Sequence, residues 1–178
     1  MKRREFIKYS ALLLGSSAFA RDLHYYALHA KCPVGVRIIQ EPYQTIASVL
    51  EQLFPPNIAM PTVHSFNVIG FFQALMKDPR VKDETKQILQ DGVKWLNQTS
   101  KNSYMKNYKE LTLSQKETLL KQISLKQWGD TWLWHLINFT FEAMFSDPVY
   151  GANINKIGWK WVEHESGLPR PLKVNAYV

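Results

Sequence analysis

Residues 128–161 read W-G-D-T-W-L-W-H-L-I-N-F-T-F-E-A-M-F-S-D-P-V-Y-G-A-N-I-N-K-I-G-W-K-W, and the reading of this stretch decides the fold. At helical spacing Trp132, Leu136, Phe139 and Ala143 form one apolar row; Trp134, Ile137, Phe141, Met144 and Phe145 form a second. A helix apolar on nearly every side is one that protein or lipid surrounds. His135, Asn138, Thr140 and Glu142 interrupt the run, which does not suit a membrane span of about 20 apolar residues. The stretch therefore predicts the central helix of a soluble helical domain. Asp147-Pro148 ends it, because the residue before a proline is driven out of the helical region. Beyond that break the chain is rich in glycine and asparagine yet carries Tyr150, Trp159 and Trp161. Large aromatics in so short a segment imply packing, either on the domain's own core or on a partner.

Upstream, amphipathic segments succeed one another. Ile46, Val49, Leu50 and Leu53 share a face ahead of Pro55-Pro56, the spacing of a helix stopped by proline. A second helix over residues 63–76 turns Phe66, Ile69, Phe72 and Leu75 inward, with Val68 and Phe71 widening the stripe, and closes at Asp78-Pro79. Asp83 is placed to cap a third helix carrying Leu89, Val93 and Leu96, flanked by Ile88 and Trp95; the asparagine- and serine-containing residues 97–107 read as a polar loop. Ser114-x-x-Glu117 is a capping-box pattern and opens a fourth helix with Leu119, Leu120 and Ile123. No alternating strand pattern, internal repeat or linker interrupts the series. The prediction is a single all-α domain of about five helices, residues 21–178, with an irregular N-terminal arm and an aromatic C-terminal tail.

Residues 1–20 read as an export address. Arg3-Arg4-Glu5-Phe6-Ile7-Lys8 resembles the twin-arginine signal pattern, with Lys2 where that pattern has serine or threonine. A short, weakly apolar stretch around Leu12, Leu13 and Leu14 comes next, and Ala18-Phe19-Ala20 fits the small-x-small cleavage rule. An ordinary secretory signal or a retained anchor is the alternative. The twin-arginine translocase, the expected partner of such a signal, moves folded proteins and suits a chain that acquires a cofactor or partner before export. Without residues 1–20 the chain keeps 158 residues, enough for one domain burying about 68–70% of its extended surface. That segment holds four basic residues and one acidic, so the remainder carries 18 against 14, a net +4 rather than the +7 of the whole chain. No basic run or arginine-rich stripe supports nucleic-acid binding.

Cys32 is the only cysteine. In an exported protein it is a free thiol or bonded to another chain, and an intersubunit disulfide is the reading worth testing. His24 and His29 lie close to Cys32, but without a second ligand cluster they do not make a metal site. Dinucleotide fingerprint, P-loop, nucleophile elbow, zinc-protease helix and c-type haem motif are all absent, so no catalytic or cofactor residues are assigned in this chain. His135 and Glu142 stand two turns apart, about 10 Å along a helix, too far to meet. A histidine among tryptophans reads as a hydrogen-bonded core residue. His64 and His164 have no nucleophile in view. From the residues alone this is an exported helical interaction domain. The competing reading is a self-sufficient exported binding protein whose aromatic tail meets a sugar or a membrane surface.

Four features together resemble the gluconate 2-dehydrogenase subunit 3 family, the small (gamma) subunits of gluconate 2-dehydrogenase. They are the Arg3-Arg4 signal; the early helix Thr45-Ile46-Ala47-Ser48-Val49-Leu50-Glu51-Gln52-Leu53-Phe54-Pro55 followed by Ala59 and Pro61; the Leu113-Ser114 helix start; and Phe145-Ser146-Asp147-Pro148-Val149-Tyr150-Gly151-Ala152-Asn153 running into Ile157-Gly158-Trp159. The last resembles the family pattern S-x-P-x-Y-G-G-N with a later G-W, Ala152 standing for the second glycine. Residues 21–43 lie outside the resemblance. It implies a non-catalytic subunit without a cofactor of its own, bound to a large flavoprotein of the glucose–methanol–choline oxidoreductase type that carries FAD. A cytochrome c subunit with haem c joins where present. The small subunit would assist the maturation and twin-arginine export of the large one, and the complex would sit in the periplasm on the outer face of the inner membrane. The sugar acid oxidised is a property of the large subunit. On this resemblance Tyr150, Gly151, Asn153, Gly158 and Trp159 are expected to shape the segment that docks on the flavoprotein, with Tyr150 and Trp159 as contact anchors and Gly151 and Gly158 permitting tight or positive-φ turns.

Overall fold

The computed structural model describes residues 40–55 and 61–168. Within them lie six α-helices: α1 (Tyr43–Leu53), α2 (Val68–Lys77), α3 (Asp83–Tyr104), α4 (Leu113–Ser124), α5 (Gln127–Phe145) and the short α6 (Ile157–Trp161). Four 3-10 turns lie between them, at Val63–Phe66, Tyr108–Glu110, Pro148–Tyr150 and Ile154–Lys156. The all-α prediction holds: no strand occurs among the described residues. The N-terminal arm, the export residues Arg3, Arg4, Phe6, Ala18 and Ala20, the cluster of His24, His29 and Cys32, and residues 169–178 lie outside the described residues.

The hydrophobic stretch lies at the centre as its composition requires. Helix α5 packs against α2, α3, α4, α6 and the 3-10 turn Val63–Phe66. Its first row is the core: Trp132, Leu136, Phe139 and Ala143 are buried, with Met144. Of the second row, Trp134, Ile137, Phe141 and Phe145 are half-buried. Phe139 meets Phe72 of α2 edge-on at 6.1 Å between centroids. No described helix is long and apolar enough to cross a membrane.

Trp132 is the largest side chain fully inside. Its indole N–H donates to the Leu89 carbonyl at 3.2 Å, and the ring lies on α3 where Gly92 leaves room; a Cβ at Gly92 would collide with the indole. A buried indole needs both an acceptor and space, and α3 supplies them one turn apart.

Sequence and structure differ at several boundaries. The third helix does not end before residue 97 but runs to Tyr104. The polar residues that read as a loop are helical, and their side chains reach across the fold. Asn97 accepts from the Tyr108 amide at 3.0 Å and donates to Thr45 Oγ1 at 3.2 Å, while the buried Ser100 donates to the Lys106 carbonyl at 2.7 Å. Partners at those distances remove the competition that makes Asn and Ser poor helix residues in isolation. Asp83 does not cap α3; it occupies the first turn with Glu84, where negative charge favours the helix dipole. The capping box of α4 is Thr112 with Gln115, not Ser114 with Glu117, and Glu117 instead pairs with Lys121 at 2.8 Å. Both frames satisfy the same pattern two residues apart. The second helix is split: Asn67, in the left-handed region at φ 57, separates the 3-10 turn Val63–Phe66 from α2.

Gly92→Ala separates packing from helix propensity. Propensity alone favours alanine by about 1 kcal/mol, whereas overpacking against Trp132 costs about 1–3 kcal/mol. The expected outcome is net destabilisation, read as a lower urea midpoint at unchanged slope; a stabilised variant would contradict the α3–α5 contact.

Candidate partner interface

Helix α5 ends at Phe145, and its last carbonyls have no partner within the helix. The turn beyond it brings partners back. Asp147 accepts from the Val149 amide at 3.0 Å, and Pro148 opens a 3-10 turn. Gly151 then takes φ 88, a left-handed value that glycine adopts without steric cost. Asn153 comes next at φ 48, fully buried. Its side-chain amide donates to the Ser146 carbonyl at 2.9 Å and accepts from the Gly158 N–H at 2.7 Å. Its backbone N–H donates to the Phe66 carbonyl at 3.0 Å. One asparagine thus joins the end of α5, the start of α6 and the 3-10 turn before α2. Asn67 adds a second tie, donating to the Gly151 carbonyl at 2.8 Å.

The later half of the motif closes this clasp. A Cβ on Gly158 would strike the Met144 carbonyl, so glycine is required here by close approach and not by a positive φ. The Trp159 indole N–H donates to the Phe145 carbonyl at 2.8 Å. Ala152 is buried and lies outside the left-handed region, so alanine fits where the family pattern has glycine.

The structure brings Tyr150, Gly151, Asn153, Gly158 and Trp159 together, but inside the domain. Tyr150 is 2% and Trp159 7% exposed. The contact-anchor role expected of these two rings is therefore closed to them in this conformation, because the chain itself covers both. Instead they fix the position of α6 and of the surface around it. Phe141 stacks on Phe145 at 6.3 Å and Phe145 on Trp161 at 6.2 Å, carrying an aromatic row from α5 onto α6. Helix α6 ends in a Schellman motif: the Glu163 N–H donates to the Lys160 carbonyl at 3.3 Å and the His164 N–H to the Trp159 carbonyl at 2.8 Å, with Glu163 left-handed at φ 54. An open recess of about 480 Å³ lies here, lined by Phe145, Trp159, Val162, Glu163 and His164, with Val162 47% exposed. Sequence reasoning missed Asn67, Val162 and Glu163. Only the fold brings Asn67 to Gly151, and the Schellman geometry at Glu163 has no glycine to announce it.

The three histidines among the described residues do not converge. His64 meets Glu51 at 2.9 Å on the surface. His164 sits edge-on to Trp159 at 5.7 Å. His135 was expected to be a hydrogen-bonded core residue, yet it is half-buried, its buried Nδ1 has no hydrogen-bond partner among the described residues, and its ring stacks on Phe139 at 5.8 Å. Loss of solvent holds its pKa below the ordinary 6.5. Among the described residues no group of three or more His, Cys, Asp or Glu side chains is placed to hold a metal ion.

The described residues form an all-helical domain built around an aromatic helix, with most of its motif residues packed inside. Comparison with known families gives this fold a family. The family model for gluconate 2-dehydrogenase subunit 3 matches residues 40–167, and the chain belongs to this family, the subunits of a multisubunit gluconate 2-dehydrogenase. No curated protein and no solved structure matches the chain.

Asn153→Ala would leave the Ser146 carbonyl and Gly158 amide without partners, and the expected loss is about 2–4 kcal/mol, read by chemical denaturation. The depressed His135 pKa also sets a pH dependence. The unfolded chain binds the proton first, so stability falls as pH drops below about 6.5 toward the lower folded value. Stability measured between about pH 7 and 5 should fall less steeply in His135→Phe; an unchanged slope would remove His135 as a cause.

Proposed function

We propose that this chain is the non-catalytic small subunit of a periplasmic, FAD-dependent gluconate 2-dehydrogenase. It binds the large flavoprotein of the glucose–methanol–choline oxidoreductase type and assists its maturation and export. FAD belongs to that partner, and haem c to a cytochrome subunit where one is present. In this reading residues 1–20 direct the assembled pair to the twin-arginine translocase. The complex then rests on the outer face of the inner membrane, and Cys32 is available for an intersubunit disulfide.

One observation carries the reading. The segment Ser146 to Trp159, the most specific part of the family resemblance, is used to fix α6 and the recess beyond it against the end of α5. The bonds of Asn153 and Trp159 are made within the chain, so the segment contributes the placing of a surface. The clasp residues Tyr150, Gly151, Asn153, Gly158 and Trp159 thereby shape the docking segment from within, and the exposed side chains around α6 make the contacts.

The test is an affinity pull-down of the tagged chain from the periplasmic and membrane fractions of its host. The eluate is scanned for flavin absorbance and assayed with gluconate and a dye acceptor. A co-purifying yellow protein with activity absent from the small chain alone is the expected result. A colourless monomer would overturn the proposal. A non-reducing gel of the same eluate reads Cys32: a bridged pair runs at the summed mass.

A further inference from the structure

We infer that residues 21–39 of this chain lie across the outer side of α5, with a basic side chain of that segment set against Glu142. The buried row Trp132, Leu136, Phe139 and Ala143 turns α5 toward the bundle. At about 100° per residue, Trp134, His135, Asn138, Phe141, Glu142 and Phe145 fall on the opposite side of the helix. A helix side turned away from the core is ordinarily the solvated one, yet all six positions are half-buried. Both carboxylate oxygens of Glu142 are closed to solvent, and so is His135 Nδ1, two turns away on the same line of the helix. Shutting a carboxylate off from water is costly unless a cation or hydrogen-bond donors meet it. The cover over this side is therefore apolar along the rings and basic at Glu142.

The segment ahead of α1 has the reach and the chemistry to be that cover. Residues 21–39 lead directly into Gln40 and α1, and the Phe54 ring at the far end of α1 meets Phe141 edge-on at 5.6 Å. The chain thus enters the described domain roughly 20 Å from the stripe, a little more than the length of α1. The 19 residues of the segment extend to about 60 Å at most, several times the roughly 16 Å between Trp134 and Phe145. Tyr25, Tyr26, Val34, Val36, Ile38 and Ile39 offer apolar area, and Arg21, Lys31 and Arg37 outnumber the single acid, Asp22. Charge and hydrophobicity both match what the stripe presents. A side of α5 covered in this way is withheld from outside partners, and the same placement brings Cys32 to α5.

The test uses the purified chain alone, so capture of a flavoprotein, or failure to capture one, does not enter it. Asn138→Cys adds a second thiol on the stripe to the single native Cys32. Mild oxidation should consume both thiols within a monomer, and a digest should join the Cys32 peptide to the one containing position 138. Ser103→Cys, on the exposed end of α3, should stay reduced. Glu142→Gln keeps the shape and removes the charge, and tryptic cleavage after Lys31 and Arg37 of the native chain should rise about tenfold with helix content unchanged. Unchanged cleavage in Glu142→Gln would overturn the proposal. Thiols that persist in Asn138→Cys and Trp134→Cys alike would do the same. Oxidation that yields only a disulfide-linked dimer would assign the cover to a second copy and overturn it. Faster cleavage after Lys173 in place of Lys31 and Arg37 would assign the cover to residues 169–178, which also overturns it.

Discussion

The last carbonyl groups of α5 are the constraint on which the rest of the structure depends. The helix is packed among α2, α3, α4 and α6, so carbonyls at its C-terminal end are screened from water, and each one left unpaired there would cost free energy. Asn153 and Trp159 meet that requirement at Ser146 and Phe145. Once those bonds are made, little freedom remains. The chain must turn sharply, which Gly151 allows, and return close enough for Gly158 to sit against Met144. A five-residue helix is marginal by itself; α6 is held by the helix it completes.

The six tryptophans of the chain are largely drawn into the same helical frame. The aromatic side chains are distributed along α5 and onto α6, where their area stabilises the bundle, and the described histidines, His64, His135 and His164, lie apart. The Trp132 indole is engaged with α3, the Trp159 indole with α5, and the Phe141–Phe145–Trp161 row links α5 to α6. In the proposed subunit role the chain supplies geometry to a partner that carries the chemistry.

Much of the fold was legible in the residues. The row Trp132, Leu136, Phe139, Ala143 is the core of α5, and Phe66, Ile69, Phe72 and Leu75 face inward as their spacing predicted. Periodicity survives into the fold because burial of apolar surface is what selects the helix face. Polar residues were less readable. Asn97 and Ser100 looked like loop residues since their value in α3 depends on Thr45, Tyr108 and Lys106, partners that only the fold brings near. Thr112 and Ser114 offered two frames for one capping box, and local sequence does not choose between them. The motif around Asn153 was visible as a pattern, but its inward direction was not: a string of Tyr, Gly, Asn and Trp has the same composition whether it faces a core or a partner.

The bond from the Asn153 backbone N–H to the Phe66 carbonyl joins residues far apart in the chain, and Asn67 with Gly151 repeats the connection beside it. A segment with the composition of a tail is therefore wired to the front of the domain. The Asn153 amide proton is held in a contact that breaks only when the turn before α2 also moves. In hydrogen-exchange terms, the Asn153 amide should open together with the turn before α2 rather than with a fraying end, which couples the two ends of the bundle.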